Sequence, residues 1–200
     1  GYVRDMLIKR GSDQNCNYGI GKCIIRRQKL MDLVDEAMSR NLYDFDRDIM
    51  QRNLKDMKVY GYEYTGAAYT ITSFKDYFEA NMALMDPKVR AQLFPAAHPI
   101  YTKVRDDMPA KYGLGSSVEN SIVADGCVID GEVENCVLFR GVRVKKGEKL
   151  KNCVIMQDCV IGEGTKLDYV VADKNVEFDM NRNMAGSSSY PVYVSKGSRV

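Results

Sequence analysis

Residues 152–161 read NCVIMQDCVI, and the Cys-Val-Ile triplet that occurs twice in these ten residues decides the fold. The first triplet follows an Asn and the second an Asp. The phrase continues both ways along the chain. NSIV stands at 120–123, NCVL at 135–138 and DYVV at 168–171, so that with 152–155 the spacings are 15, 17 and 16 residues. A second element keeps the same step: GCVI at 126–129, GVRV at 141–144, DCVI at 158–161 and KNVE at 174–177. A third is a lone aliphatic with Asn or Tyr two residues on, at Val118, Val133, Leu150 and Leu167. Residues 117–177 therefore hold four copies of a three-part unit of about 16 residues.

Each aliphatic run is two or three residues long, bounded by Gly, Asp, Asn, Lys or Glu. Helices need longer stretches with a 3.6-residue period, and the repeat contains none. Three short strands joined by polar corners describe one coil of a parallel β-helix, whose coils stack around a shared interior. The small residues Cys127, Cys136, Cys153 and Cys159 belong where that interior narrows. A prism of four coils is the expected architecture.

Composition excludes several function classes. The 29 basic and 27 acidic residues nearly balance, which argues against a nucleic-acid partner. No apolar run reaches the length of a membrane span and no secretory signal opens the chain. Six cysteines without a compact framework, with eleven methionines, fit a reducing cytoplasm. The repeat cysteines lie 9, 17 and 6 residues apart without a CxxC pair, and the chain has one histidine, so no metal site is expected.

Residues 1–86 are different material, of α/β type. YGIGKCII at 18–25 reads as a strand leading into a helix over 27–38, with Leu30, Val34, Ala37 and Met38 as its apolar stripe. A second helix is expected around 43–54, where Asp44, Asp46 and Asp48 are first-turn charges that favour the helix dipole. KVYGYEYT at 58–65 is strand-like. A third helix starts at Ser73, with Asp76 completing a cap, carries Phe74, Tyr77, Phe78, Met82 and Met85, and stops at Asp86 before Pro87. Residues 87–116, with four of the five prolines, read as a linker; 178–200 is a tail whose Val192 and Val194 can add an edge strand.

The order of these elements, with TSFKDYFEANMALM at 72–85 and CVIDGEVENCVLFRGVRV at 127–144, resembles the C-terminal half of the glucose-1-phosphate adenylyltransferase (ADP-glucose pyrophosphorylase) family. The resemblance covers nearly the whole chain. It implies the C-terminal part of an α/β nucleotidyltransferase domain followed by a left-handed parallel β-helix with hexapeptide-like repeats. In that family the α/β domain joins ATP to glucose 1-phosphate with Mg²⁺, and the β-helix serves tetramer assembly and allosteric control.

Two departures point away from catalysis. The family's glycine-rich phosphate loop is absent, as is its sugar-phosphate segment; GIGK at 19–22 reads as structural, and the chain is expected to be a piece that begins inside the catalytic domain. Catalytic members also carry Trp-Arg-Asp-Val-Gly-Thr before the third helix, where this chain has Ala68, Tyr69, Thr70, Ile71, Thr72 and Ser73. Thr70 thus stands at the position of the family's metal-site Asp, and Tyr69 at that of its Arg. A neutral hydroxyl cannot hold Mg²⁺ against phosphate oxygens as a carboxylate does. No catalytic or cofactor-binding residue is therefore expected here, and Mg²⁺ and ATP are expected for a catalytic partner.

The resemblance then implies a regulatory subunit of bacterial glycogen synthesis that self-associates and joins a catalytic subunit in a mixed tetramer. The alternative is a fragment of an active adenylyltransferase that tolerates the changed motif. A third class, a coenzyme A-dependent β-helix acyltransferase, needs a general base near the coils, and His98 precedes them by about twenty residues. Within the basic run Arg140, Arg143, Lys145, Lys146, Lys149 and Lys151, the first four are the candidates for contact with a phosphorylated effector or an acidic partner surface.

Overall fold

In the computed structural model, which describes residues 1–8 and 16–200, the aliphatic runs become very short strands stacked in three parallel sheets of five. Face 1 stacks Lys111–Tyr112, Val128–Ile129, Arg143–Val144, Val160–Ile161 and Glu177–Phe178. Face 2 stacks Ser117–Glu119, Glu132–Glu134, Lys149–Lys151, Lys166–Asp168 and Asn183–Ala185. Face 3 stacks Ile122–Val123, Val137–Leu138, Val154–Ile155, Val170–Ala172 and Val192–Val194. This is the left-handed parallel β-helix of hexapeptide proteins. It has five layers rather than four: Lys111–Tyr112 precedes the visible repeat, and Asn183–Ala185 and Val192–Val194 extend it into the tail.

The interior is built by alternation along each strand. Ile129, Val144, Ile161 and Phe178 point inward from face 1, Val133, Leu150 and Leu167 from face 2, and Leu138, Ile155, Ala172 and Val194 from face 3. All are buried, and each large aliphatic adds about 1.5–3 kcal/mol of burial free energy. The corners are filled by Cys127, Val142, Cys159 and Val176 in one column and by Cys136, Cys153 and Val170 in another, all wholly buried. The four cysteines are free thiols.

The true register corrects the fourth copy. Val154 pairs with Val171 and Val160 with Glu177, so the step there is 17 residues, and both DYVV and KNVE are one residue out of phase with the coils. The corner explains why. Asn120, Asn135 and Asn152 have φ of 40°, 51° and 51°, and Tyr169 takes the same place with φ 51°. Asn tolerates this left-handed region better than most residues, whereas Tyr gives no signal that it occupies an Asn position. The Asn side chains form a ladder along the edge: Asn120 Nδ2 donates to Asn135 Oδ1 at 2.6 Å, and Asn152 Nδ2 donates to Asp168 Oδ1 at 2.9 Å. Asp168 thus caps the ladder instead of occupying the next turn.

The 15-residue step has a local cause. Four residues, 145–148, join face 1 to face 2 between Val144 and Lys149, but only Asp130 and Gly131 do so between Ile129 and Glu132. A Cβ on Gly131 would fall 2.8 Å from the carbonyl oxygens of Lys145 and Glu148, so only glycine fits under the longer corner of the next coil.

The described residues form two units, Gly1–Gly66 and Ala67–Val200. In the first, a helix over Arg27–Ser39 (α1) buries Leu33 and Ala37 against Ile49, while Val34 is partly and Met38 largely exposed. The apolar stripe expected at Leu30, Val34, Ala37 and Met38 is therefore rotated toward Leu33. Phe45–Gln51 forms a short π-helical segment, capped by Asp44, which accepts from Arg47 N at 2.9 Å; Asp46 and Asp48 lie in its first turn as expected. The runs 18–25 and 58–65 form no strands; Tyr60 makes only a single antiparallel bridge to Tyr2. One bridge does not hold a strand, and 18–25 has no strand partner among the described residues.

In the second unit, Phe74–Ala83 (α2) begins with the expected capping box, Asp76 N donating to Ser73 Oγ at 3.1 Å and Ser73 N to Asp76 Oδ2 at 2.8 Å. It ends at Ala83, earlier than expected, because Asp86 caps a further helix, Pro87–Leu93 (α3), inside the stretch read as a linker. No helix among the described residues is long and apolar enough to cross a membrane.

Candidate functional site

The three outer faces of the prism differ in chemistry because the outward residue of each strand differs. On face 2 the outward residues are charged and paired: Lys149 Nζ lies 2.7 Å from Glu132 and Lys151 Nζ 2.9 Å from Glu134. Exposed pairs of this kind are screened by water and add little stability, but they take two lysines out of the basic run. On face 3 the outward residues are Ile122, Val137, Val154 and Val171, an apolar ladder that water would not leave uncovered.

Helix α2 covers it. Phe78 is buried against Val137, Val154 and Val171, with Phe74, Tyr77 and Met82 at the edges. Phe74 meets Tyr193 edge-on at 5.3 Å between ring centres, and Phe78 meets Tyr169 at 5.9 Å. The sequence carried the signal in the whole column rather than in one triplet. Face 1 mixes Val128 and Val160 with Arg143 and Glu177, as a strand face with a solvated outer side does. The unbroken aliphatic column Ile122, Val137, Val154 and Val171 marks the face with a cover.

The four basic candidates lie on one coil but do not form one cluster. Arg140 sits half-buried at the corner between faces 3 and 1, where its carbonyl accepts from Asp158 N at 3.0 Å. Arg143 is exposed on face 1, between Val128 and Val160 in the register. Lys145 and Lys146 occupy the next corner and are both exposed. Among the described residues none of the four is in an ion pair. Arg143, Lys145 and Lys146 thus give a short cationic rim along the face 1 to face 2 edge, and Arg140 stands apart from it. His98 is exposed in a turn, its N–H donating to Pro95 O at 3.0 Å.

Thr70 lies in the exposed extended run that leads into α2, beside Tyr69. The carboxylate that follows, Asp76, is committed to the helix cap. It accepts from Thr72 Oγ1 at 2.7 Å and Thr72 N at 3.0 Å as well as from Ser73 N, and these bonds lower its pKa to about 2. Between Ala67 and Phe78 the one carboxylate is that of Asp76, and its acceptors are in use at the helix cap.

Residues 108–186 match the family described as GlmU-like, C-terminal hexapeptide. Over 168 residues, 84% of this chain and 49% of the relative, the sequence is 44% identical to the glycogen biosynthesis protein GlgD of Bacillus subtilis (strain 168). It is 33% identical over 159 residues, 78% of this chain and 37% of the relative, to the glucose-1-phosphate adenylyltransferase of Acetivibrio thermocellus. A third match, 54% identical over 68 residues, 34% of this chain and 20% of the relative, is the glycogen biosynthesis protein GlgD of Geobacillus stearothermophilus. The chain spans about half the length, or less, of these relatives.

Proposed function

Because the chain belongs to the glucose-1-phosphate adenylyltransferase family and covers its C-terminal half, we propose that it is part of a regulatory, catalytically deficient subunit serving glycogen biosynthesis. The observation that carries this reading is the run at 69–71, where Tyr69 and Thr70 replace the Arg and Asp expected of a catalytic member. The greater identity to GlgD than to the adenylyltransferase of Acetivibrio thermocellus supports it.

On this reading the subunit works through assembly. Its β-helix joins a catalytic adenylyltransferase subunit, which holds ATP and Mg²⁺, in a mixed tetramer, and changes the partner's turnover or effector response. The coupling is a free energy between sites, so it must appear in the partner's measured affinity or rate. Fully exposed Leu114 and largely exposed Tyr190 and Met180 on the prism unit provide apolar surface for self-association. The cationic rim of Arg143, Lys145 and Lys146 suits a phosphorylated metabolite or an acidic surface on the partner. The reduced thiols fit a cytoplasmic location.

The test is the protein's own chemistry. Full-length protein, assayed alone with ATP, glucose 1-phosphate and Mg²⁺, is expected to release no pyrophosphate above background. Robust turnover by the protein alone would instead support the reading as an active adenylyltransferase.

A further inference from the structure

Glu148 follows the Lys145–Gly147 turn and opens the face 2 strand Lys149–Lys151, and its side chain is wholly inside the prism. Neither carboxyl oxygen has a hydrogen-bond partner. The same corner position in other coils holds a hydroxyl that is satisfied. Ser116 Oγ donates to Gly113 O at 2.9 Å, and Thr165 Oγ1 donates to Asp179 O at 2.8 Å. In the coil before Glu148 the position belongs to Gly131, which offers no side-chain partner. That coil is also the one whose corner is two residues short.

A buried carboxylate without a partner does not stay ionised; it keeps its proton. The charged groups around Glu148 come from three corners. The backbone N–H of Lys145, near the carboxyl but outside hydrogen-bond geometry, and the Lys145 charge favour the anion, while Glu163 in the following coil and Asp130 in the preceding one disfavour it. Burial outweighs them all and pushes the Glu148 pKa up to about 8.

We propose that Glu148 is a proton-operated latch on the Lys145–Gly147 turn. Protonated, it lies inside and the corner is closed. When it loses its proton to bulk water, the carboxylate leaves the interior through the turn and pairs with Lys145 or Lys146, which have no ion pair among the described residues in the closed state. Gly147 makes the movement feasible: its φ is 80°, and nothing approaches within 4 Å of where a Cβ would stand. The free positive charge of the cationic rim then falls as pH rises. This goes beyond the regulatory reading and does not depend on it.

Backbone amide spectra and hydrogen exchange from pH 6 to 10, on this chain and on its Glu148→Gln and Lys145→Met variants, test the latch. The amides of Gly147–Lys149 are expected to shift together with a midpoint near pH 8. The amide of Glu132, which donates to Glu148 O at 2.8 Å, is expected to exchange about tenfold faster above that midpoint, after correction for base catalysis. Glu148→Gln should abolish both changes. Lys145→Met should move the midpoint upward, and it keeps the test decisive if the Gln variant folds poorly. No titration in the wild type, or an unchanged one in Glu148→Gln, overturns the proposal. A titration without faster exchange at Glu132 also overturns it, because the acid would then ionise in place.

Discussion

The backbone N–H of Cys153 donates to the sulfur of Cys136, 3.3 Å away and one coil earlier in the same interior column. Both thiols are wholly buried, and burial, with the neighbouring sulfur, holds Cys153 well above the ordinary thiol range. Burial pushes Cys159 up to about 11. Cys16 and Cys23 are exposed. In native protein at pH 8, a thiol reagent should therefore modify these two at once. The four prism cysteines should react at least about a hundredfold slower than in denaturant, because the thiolate is the reactive form and access needs opening of the coils. Equal rates in both conditions would mean that the columns are not stacked as described.

Phe78 fastens α2 to face 3. Its ring is buried against three valines from successive coils, so Phe78→Ala leaves a cavity as well as losing apolar burial. The expected cost is about 3–5 kcal/mol, seen in chemical denaturation of this chain. Amide exchange should localise the loss to Phe74–Ala83, with the prism interior unaffected. A change below about 1 kcal/mol would show that the helix does not need this seat.

The cap of α2 predicts a specific acid dependence. Asp76 is held at about 2, below its ordinary 3.8, first by the Thr72 hydroxyl and then by the Thr72 N–H and Ser73. A lowered folded pKa means the contribution is present above pH 3.8 and is lost as the pH falls toward 2. Thr72→Val should raise the Asp76 midpoint, followed by carboxyl NMR, more than Ser73→Ala does. Ser73→Ala should cost about 1 kcal/mol at neutral pH.

Much of this was legible in sequence because stacked coils repeat their chemistry. Val133, Leu150 and Leu167 occupy one interior column, and any short-period scan aligns them. The fourth-copy register was hidden because Tyr169 takes an Asn position, and only the left-handed φ shows the equivalence. The runs at 18–25 and 58–65 have strand composition, but among the described residues the first pairs with nothing and the second only through the Tyr2–Tyr60 bridge, and pairing is a tertiary property. Glu148 gives no signal in sequence because Lys-Gly-Glu-Lys reads as a solvated turn. Nothing local says that the third of these residues points inward.

Glu148 also gives the prism a pH-dependent stability. Its folded pKa of about 8 lies above the ordinary 4.5, so the native state binds this proton more tightly than the unfolded chain does. Stability from this group is full below about pH 4.5 and is lost as pH rises through about 8. Glu148→Gln, which cannot ionise, should match the wild type in thermal melts at pH 5 and exceed it by a few degrees at pH 9. Parallel curves at both pH values would place the carboxylate in water.

On the proposed reading, a subunit without chemistry of its own changes that of a partner. The most direct measurement is pyrophosphate release by a catalytic adenylyltransferase subunit, assayed across ATP and effector concentrations with and without an equimolar amount of the full-length protein. A mixed assembly is expected by light scattering, with a shift in turnover or effector affinity of about fivefold or more, the coupling expected of an allosteric pair. A partner whose size, turnover and effector response are the same with and without the protein would contradict it.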